Sequence, residues 1–537
     1  MTNIRIRACH CVVALLALAF FGAKAQAQTY TDLFDLDNDV HGCCPSYPSQ
    51  LAQGRDGNLY GVTTSGGPHS DGTVFRMTPA GVVTVLHSFS GTDGSLPMGG
   101  LSLGMDGNFY GTTFEGGPVC CRGVIFKITP AGTYTMLYNF LGGTDGGGPL
   151  APPVQGPDGN LYGTASSSSG ATIYKITTAG VFTPLGPLPG ASYGGLVLGN
   201  DGKFYGTTER GGTVGQGTFF SLTTAGVLTV IYSFHDATGD FPIGPLMLSA
   251  DGFFYGTGAA GGAMSGGVVF KISPAGVYTK LHDFDSSGAS LAKAPYGGVV
   301  QGSDGFLYGT TSTGSSGNGT IFKIKPNGTS FLIMHTFDGT HGAEPAPAPF
   351  LHTNGKIYGL TTTGGAHNQG VVYSFDAGLK PFAVPVVRRS AKVGSVIEML
   401  GQNFKTSTGI MFGTGAGTET VVSNNYMTVP VPSSATTGLI TVLEPSGNLL
   451  TPLKFKVTPT ITSFSPTSGP VGTQVVVKGM SFTGATAVKF GTVSATVFTV
   501  NSNTQITTEV PSGAATGKIQ VVTPGGAAIS TTNFTVN

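Results

Sequence analysis

Residues 101–140 read LSLGMDGNFYGTTFEGGPVCCRGVIFKITPAGTYTMLYNF, and this stretch recurs in recognisable form seven times between Leu51 and Phe375. Each copy contains the motif Asp-Gly-x-aromatic/aliphatic-Tyr-Gly. The motif begins at Asp56, Asp106, Asp158, Asp201, Asp251, Asp304 and, with Asn in place of Asp, at Asn354. Successive motifs start 50, 52, 43, 50, 53 and 50 residues apart. A period of this length indicates a tandem array of one structural unit.

One repeat predicts four short β-strands joined by three turns. Leu101–Leu103 is a short apolar run, an Asp-Gly turn follows it, and residues 108–113 are rich in aromatic and β-branched residues. The sequence Thr-Pro-Ala-Gly at 129–132 predicts the turn before the last strand, Tyr134–Phe140. Four antiparallel strands in about fifty residues are typical of a β-propeller blade. A parallel β-solenoid would have a coil of roughly half that length, and helical repeats would need apolar stripes of helical period.

The N-terminal strand is predicted to close the propeller. Residues 30–36 (YTDLFDL) match the fourth strand of the quoted repeat, whereas the seventh repeat leaves the pattern after its third strand, Val371–Phe375. Pairing of these two segments would remove an exposed sheet edge and join the ends of the array. Repeat three is irregular, since the shortened span Val181–Val197 lacks the Phe that ends other fourth strands. The sequence therefore predicts an all-β fold with a seven-bladed propeller over residues 28–380.

The composition agrees with an all-β protein rich in turns. The chain of 537 residues contains 87 Gly and 33 Pro, and only 10% of its residues are charged. Segments rich in Ala, Glu, Lys and Leu, which helices favour, are missing. No basic run or patch is present to neutralise phosphates, so the sequence predicts no nucleic-acid partner.

Residues 1–27 have the features of a secretory signal peptide. Arg5 and Arg7 form the basic region, residues 11–21 form an apolar core, and Ala25-Gln-Ala27 is a small-x-small cleavage site. An uncleaved anchor is disfavoured because the apolar run is short for a membrane span. We therefore expect an exported protein, secreted, periplasmic or on the cell surface, without a membrane span after cleavage.

Periodic aromatic residues are interpreted as core rather than as a ligand site. The motif tyrosines could form a ring that stacks on sugars, but side chains at equivalent positions of a repeat usually pack inside it. They are Tyr60, Tyr110, Tyr162, Tyr205, Tyr255, Tyr308 and Tyr358. His87, His282 and His335 share a fourth-strand position with Phe34, Tyr138 and Tyr232. These histidines belong to the outer edges of different blades, too far apart to bind one metal ion.

Two features of the loops suggest further sites. Asp35, Asp37 and Asp39 resemble the start of a calcium loop, although Val40 stands where Gly is expected and Ser46 where Glu is expected. The alternative is a solvated Asp-rich turn. The pairs Cys43-Cys44 and Cys120-Cys121 are predicted to form disulfides between blades one and two, with the connectivity left open. A metal site of four thiolates is the competing interpretation.

A different repeat begins after residue 380. Gly394, Gly401, Phe404 and Phe412 are matched 78 residues later by Gly472, Gly479, Phe482 and Phe490. Alternating runs such as Val475–Gly479 predict two β-sandwich modules, over residues 383–457 and 458–537. The second, with ITSFSPTSGPVGT at 461–473, resembles the IPT/TIG family of immunoglobulin-like domains. The first departs from that pattern at its start, Val386–Gly394. The resemblance implies spacers or binding accessories on secreted and surface proteins.

The repeat half is similar to the GloVer tandem-repeat family of "choice-of-anchor" bacterial extracellular proteins. That family is recognised by the units DGNLYGTT and GTVFKITPAG and by the fourth-strand Phe, which the quoted repeat matches closely. The resemblance implies an exported protein, and it brings no catalytic residues and no cofactor to carry over.

We therefore expect a non-enzymatic binding or adhesion protein. A propeller presents loops on one face to ligands, here carbohydrate or a surface protein, and the C-terminal modules serve as a stalk. A propeller enzyme acting on polysaccharide, a lyase or glycosidase, is one alternative and would need convergent acid-base groups. Glu115 and Glu209, in loops between second and third strands, are the candidate carboxylates. A purely structural cell-surface component is the other alternative.

Overall fold

A computed structural model describes residues 28–119, 122–167, 170–287, 292–314 and 317–537. The predicted signal peptide, residues 1–27, lies outside the described residues. The protein is all-β, with many four-stranded antiparallel sheets. In the described part of the chain, helix is confined to two 3-10 turns, Asp236–Thr238 and Phe404–Thr406. None of the described helices has the length and hydropathy to cross a membrane.

The repeats form seven four-stranded sheets, numbered here in chain order. Local turns join neighbouring strands, because each Asp-Gly and Pro-Ala-Gly segment reverses the chain. The strands of sheets 1 to 3 are Ala52–Gln53, Leu59–Thr63, Thr73–Met77 and Val83–Ser88; Leu101–Leu103, Phe109–Thr112, Val124–Ile128 and Tyr134–Asn139; and Val154–Gln155, Leu161–Ser167, Gly170–Ile176 and Phe182–Leu188.

Sheets 4 to 6 comprise Leu196–Leu198, Phe204–Thr208, Thr218–Leu222 and Leu228–Ser233; Met247–Leu248, Phe254–Gly258, Ser265–Ile272 and Tyr278–Asp285; and Val299–Gln301, Leu307–Thr311, Thr320–Ile324 and Leu332–Thr336. Sheet 7 comprises Phe350–Leu351, Ile357–Leu360 and Val371–Asp376, with Thr29–Asp35 as its fourth strand. The N-terminal strand pairs antiparallel with Val371–Asp376, as predicted, from Thr29 opposite Asp376 to Asp35 opposite Val371.

The repeated motif has a consistent structural role. Asp106 Oδ1 accepts the backbone N–H of Asn108 at 3.1 Å and closes the turn, in which Gly107 has a φ of +80°. Asp106 Oδ2 accepts the hydroxyl of Tyr110 at 2.7 Å. The same tyrosine-to-aspartate bond recurs in sheets 1, 3, 4, 5 and 6, and all seven motif tyrosines are at most 2% exposed. These tyrosines are core residues, as predicted.

Stacked rings connect the outer strands of neighbouring sheets. His87 lies on Tyr134 with ring centroids 4.2 Å apart, and His282 lies on Phe331 at 3.9 Å. His335 lies on Tyr30 at 4.1 Å, which ties sheet 6 to the N-terminal strand of sheet 7. The three histidines are therefore packing residues, each between two different sheets. In sheet 3, Leu188 is buried at the end of the fourth strand, where most other repeats have Phe.

Residues 384–457, the first module, fold around one core that includes Phe412 and Phe455. Its strands are Val384–Pro385, Val396–Leu400, Tyr426–Pro430 and Thr420–Val421 in one sheet; Gly415–Gly417, Gly409–Phe412, Ile440–Leu443 and Leu449–Leu450 in a second; and the parallel pair Ser390–Ala391 and Lys456–Val457.

Residues 460–536, the second module, fold around a separate core that includes Phe490 and Phe534. One of its sheets has four strands and the other has five. The strands are Thr460–Ser465, Gln474–Met480, Gln505–Glu509 and Phe498–Ser502, and then Ser468–Gly469, Gly526–Val536, Gly517–Thr523, Ala487–Phe490 and Val493–Ser494.

The first module packs against the Asp-Gly turns of the repeat half. Arg55, in the turn of sheet 1, forms an ion pair of 2.6 Å with Glu398 and lies 4.8 Å from the ring centroid of Tyr426. Leu103 of sheet 2 packs into the apolar cluster that includes Tyr426. Gln402 donates to Thr353 of sheet 7 at 2.8 Å. Contacts with three sheets therefore fix the first module in place.

A cavity lies between the first module and the first strands of several sheets. Residues from the first strands of sheets 5, 6 and 7 line it, together with Val384, Pro385 and Leu453 of the first module. The first module therefore covers the ends of these strands that lead into the Asp-Gly turns.

Candidate functional site

Three tyrosines from three separate loops meet at the opposite ends of the first strands. Tyr47 precedes sheet 1, Tyr193 precedes sheet 4 and Tyr296 precedes sheet 6. The rings of Tyr47 and Tyr296 are stacked, with centroids 5.0 Å apart and an interplanar angle of 12°, and Tyr47 lies 5.8 Å from Tyr193. Sheets 1, 4 and 6 are not consecutive, so these contacts form where loops converge rather than between adjacent sheets. We call these three residues the tyrosine cluster; each is half-buried.

Short glycine pairs bring two of these rings to the point of convergence. Tyr193 and Tyr296 are each followed by Gly-Gly and then by the first strand. Gly298 has a φ of +71°, and a Cβ at Gly297 would lie 2.8 Å from Pro347 O of the next loop. A larger residue at either position would strain the backbone or push the loops apart. The recurrence of Tyr-Gly-Gly is a sequence signal for this site, although the fifty-residue period does not reveal it.

Glu209 lies beside the tyrosine cluster. Its backbone N–H donates to Ala191 O at 2.7 Å, which places the loop after the second strand of sheet 4 against the loop that carries Tyr193. Burial raises the pKa of Tyr193, and the negative charge of Glu209 raises it further. Burial also raises the pKa of Tyr47, with added effects from Tyr296 and from Glu209. Both phenols are therefore protonated at neutral pH and act as hydrogen-bond donors.

Arg210 adds a cation at the edge of the same site. Its Nε lies 3.7 Å from Glu209 Oε1, and its side chain is 67% exposed. The guanidinium also lies 5.5 Å from the ring centroid of Phe241. The site therefore offers aromatic surface, a carboxylate acceptor and an exposed guanidinium donor.

Glu115, the second predicted carboxylate, occupies a different position. Its backbone pairs with Ser95, at 3.0 Å from Glu115 N to Ser95 O, and its side chain is exposed. Among the described residues, no hydrogen bond or ion pair connects Glu115 with the tyrosine cluster. The structure thus brings Glu209 to the site and leaves Glu115 in the loop of sheet 2.

The acidic segment Asp35–Asp39 forms a turn whose carboxylates accept hydrogen bonds from the fold. Asp37 Oδ1 accepts the N–H groups of Val40 and His41 at 2.8 and 3.0 Å, and its Oδ2 lies 2.6 Å from His41 Nδ1. Burial alone would raise the pKa of Asp37, but these bonds lower it to about 2. Asp35 Oδ1 accepts the N–H of Ala366 at 2.6 Å.

Hydrogen bonds within the fold thus occupy these carboxylates, and Asp39 is exposed. In the described part of the chain, no three His, Cys, Asp or Glu side chains converge as metal ligands. A calcium site at Asp35, Asp37 and Asp39, the weaker of the two interpretations of this segment, stays a prediction.

Cys43 and Cys44 form no disulfide with each other or with any other described residue. Cys44 Sγ lies 2.8 Å from Cys43 Sγ and 3.3 Å from Gln369 Oε1, either of which can accept its one S–H, while the backbone of Cys43 pairs with Ser65. Both cysteines therefore contact loops of sheets 7 and 1. Burial and the Cys44 thiol raise the pKa of Cys43 to about 12, which disfavours the thiolate that a metal site needs. Cys120 and Cys121 lie outside the described residues, so a bridge to them stays a prediction.

Comparison with protein families identifies both halves of the chain. A family model described as the Gloeobacter/Verrucomicrobia repeat matches residues 19–121, 102–294, 172–373 and 290–421. The model of the IPT/TIG domain matches residues 459–536. These matches confirm both resemblances found in the sequence, the second for the C-terminal module. No curated protein matches the chain significantly.

Solved structures give only distant similarities. The surface glycan-binding protein PbSGBP-B from Prevotella bryantii is 20% identical over 28% of this chain and 41% of that chain, with a TM-score of 0.23. TolB from Acinetobacter baumannii is 16% identical over 54% of this chain and 63% of that chain, with a TM-score of 0.34. A fungal alcohol oxidase of the AA5 family, in complex with copper, is 13% identical over 78% of this chain and 98% of that chain, with a TM-score of 0.43. The chain thus spans less than two thirds of the first two proteins.

Proposed function

The chain belongs to the Gloeobacter/Verrucomicrobia repeat family, and on that premise we propose that it is an exported, non-enzymatic protein that binds carbohydrate. The seven sheets are the blades of a closed propeller, and the tyrosine cluster lies at one end of its central axis. The two C-terminal modules are immunoglobulin-like sandwiches that connect this propeller to the cell surface. The observation that carries the proposal is the meeting of Tyr47, Tyr193 and Tyr296 from three non-consecutive loops.

The chemistry of the tyrosine cluster suits a sugar ring. Half-buried aromatic rings present apolar surface to the C–H groups of a pyranose while their hydroxyls remain able to donate hydrogen bonds. Glu209 accepts from sugar hydroxyls, and Arg210 donates to ring or substituent oxygens. The loops that carry these residues are anchored in sheets, which is the usual arrangement for binding groups on a rigid scaffold.

The same geometry favours binding over catalysis. A glycosidase of the common type needs two carboxyl groups across the scissile bond, whereas Glu209 lies beside the tyrosine cluster and Glu115 lies in the loop of another sheet. A lyase needs a base whose pKa lies near the working pH, and the raised pKa values of Tyr47 and Tyr193 make these phenols poor bases. We therefore rank the polysaccharide-acting enzyme as the second candidate function.

A glycan screen on the mature full-length chain tests the proposal, with release of reducing ends and unsaturated products monitored in parallel. For the best ligand, Tyr193→Ala should weaken binding by roughly tenfold or more, as truncation of an aromatic anchor does at other sites. Glu209→Gln should also weaken it. Glu115→Gln is the matched control, since Glu115 lies in the corresponding loop of sheet 2 and should leave the affinity unchanged. Binding that survives Tyr193→Ala, or depolymerisation of the glycan, would overturn the proposal.

A further inference from the structure

Three cationic side chains of the first module line one cavity against the repeat half. Arg388, Arg389 and Lys456 lie on one side of this cavity, which has a volume of about 130 Å³. Turn residues of sheets 3 and 4 form the other side, namely Pro157, Leu198, Gly199, Asn200 and Gly202. We call this space the basic cavity. It lies at the opposite end of the repeat half from the tyrosine cluster.

None of the described carboxylates forms an ion pair with these cations. Among the described residues, none of the ion pairs within 4.0 Å involves Arg388, Arg389 or Lys456. The two aspartates of the adjoining turns are engaged elsewhere. Asp158 accepts the hydroxyl of Tyr162 at 2.8 Å, and Asp201 accepts that of Tyr205 at 2.8 Å.

The protein satisfies only part of the hydrogen-bonding capacity of these groups. Arg389 Nη1 donates to Leu198 O at 3.0 Å, and Lys456 Nζ donates to Asn200 O at 2.7 Å. A guanidinium carries five N–H donors and an ammonium three, so both groups can bind further acceptors. Burial lowers the pKa of Arg389 to about 10, so the guanidinium keeps its charge at neutral pH while it is largely removed from water. An enclosed charge of this kind is costly unless an opposite charge accompanies it.

We infer that the basic cavity binds a tetrahedral oxyanion, phosphate or sulfate, which fastens the first module to the repeats. Guanidinium groups match the oxygen geometry of such anions, and a lysine contributes a point charge. A carboxylate has only two oxygens for three cations. A tetrahedral anion has enough oxygens to give one to each cation. The inference is independent of carbohydrate binding at the tyrosine cluster.

Thermal unfolding of the mature full-length chain with added inorganic phosphate tests this site. Sodium chloride at equal ionic strength is the reference, because it screens charge without occupying a tetrahedral site. We expect phosphate, and then sulfate, to raise Tm saturably by at least about 2 °C, since a ligand that binds only the folded state stabilises it. A response equal to that of chloride, or one that does not saturate, would overturn the inference.

Three variants test whether the phosphate-dependent rise in Tm comes from the basic cavity. Arg389→Gln and Lys456→Gln should each abolish most of the phosphate-dependent rise in Tm, whereas Lys405→Gln should keep it, since Lys405 is an exposed cation of the same module. Lys456→Gln also provides a test if Arg389→Gln does not fold. Equal responses in all three variants would refute the site.

Two further measurements identify the source of the anion and test whether the two sites are independent. A sulfated disaccharide that raises Tm more than free sulfate, and does so only when Arg389 is present, would support the site and identify a glycan substituent as the source of the anion. Tyr193→Ala should keep the phosphate response, so failure of the tyrosine cluster and failure of the basic cavity remain distinguishable.

Discussion

At the scale of single residues, the bond between a motif tyrosine and its aspartate decides how one repeat holds its turn. In six of the seven sheets the tyrosine hydroxyl donates to a carboxylate, whereas in sheet 7 the amide of Asn354 donates to the hydroxyl of Tyr358 at 2.9 Å. Hydrogen bonds to charged groups contribute about 1.5–3 kcal/mol, against about 0.5–1.5 kcal/mol for neutral pairs. The sheets therefore offer an internal comparison between a tyrosine hydroxyl that donates to a charged group and one that accepts from a neutral amide.

We predict that Tyr110→Phe lowers the free energy of unfolding by about 2 kcal/mol, because the carboxylate of Asp106 loses its hydroxyl donor. The matched control, Tyr358→Phe, removes a hydroxyl from a neutral pair and should cost about 1 kcal/mol. Urea unfolding curves of both variants measure the difference. A loss at Tyr358 as large as that at Tyr110 would argue against a special role for the carboxylate.

At the scale of elements, the pairing of the first strand with sheet 7 was predictable because it rests on local pattern. The segment YTDLFDL repeats the fourth-strand pattern, and a strand with that pattern has one free partner, Val371–Asp376. The tyrosine cluster could not be foreseen in the same way. Tyr47, Tyr193 and Tyr296 come from non-consecutive repeats, and Tyr47 is followed by Pro48 rather than by Gly-Gly. Their contact depends on how seven sheets arrange around one another, which the period of the repeat does not encode.

The surroundings of Cys43 were not predictable for a related reason. In a four-stranded repeat, the loop before the first strand and the loop between the second and third strands open on the same face, and the predicted bridge from Cys43 and Cys44 to the loop of sheet 2 rests on that shared face. In the structure, Cys43 pairs with Ser65 and its neighbour Cys44 contacts Gln369, so loops of sheets 1 and 7 flank the thiols. A shared face is a property of each repeat, whereas the neighbours of a loop depend on the distance between successive sheets.

Asp32, in the N-terminal strand, lowers the stability of the fold in a way that depends on pH. Burial, and then the charge of Asp35, raises the pKa of Asp32 to about 6, with a smaller contribution of the same sign from Asp338 and an opposing one from His341. An acid whose folded pKa exceeds its unfolded value binds protons more tightly in the folded state. Asp32 therefore reduces stability progressively as the pH rises from about 4 to about 6, and its full cost is present above that range.

Asp32→Asn should accordingly raise Tm at pH 7 to 8, and the gain over the natural protein should narrow as the pH falls toward 4. Tm values of the two proteins across that range measure the effect, with Asp39→Asn, which alters an exposed aspartate of the following turn, as the control. A gain that is independent of pH would show that the ionisation of Asp32 is not its cause.

At the scale of the whole molecule, the first module is part of a continuous body rather than a free stalk. Arg55, which also donates to Met105 O of the neighbouring turn at 2.7 Å, joins the halves through its ion pair with Glu398 and its position over Tyr426. Arg389 and Lys456 add bonds to the turn of sheet 4. Polar contacts of this number, together with the apolar cluster around Leu103, predict that the two halves unfold together.

Arg55→Ala should weaken that coupling by about 2–4 kcal/mol, because it leaves the partly buried Glu398 without its partner. We expect calorimetry of the variant to resolve two transitions where the natural protein shows the two halves melting together. Arg76→Ala, in the third strand of sheet 1, should leave the transition unchanged. A single unshifted transition for Arg55→Ala would mean that the apolar contacts alone join the halves.

The docked first module also covers one end of the proposed propeller. An open ring would let a polymer thread through its centre, whereas here Val384, Pro385 and Leu453 of the first module lie across the first strands and line the cavity beside them. On the proposed function, a glycan bound at Tyr47, Tyr193 and Tyr296 would therefore not pass through the molecule, and we expect the protein to bind chain ends or the flat side of a strand. Such a protein would hold a polymer in place rather than travel along it.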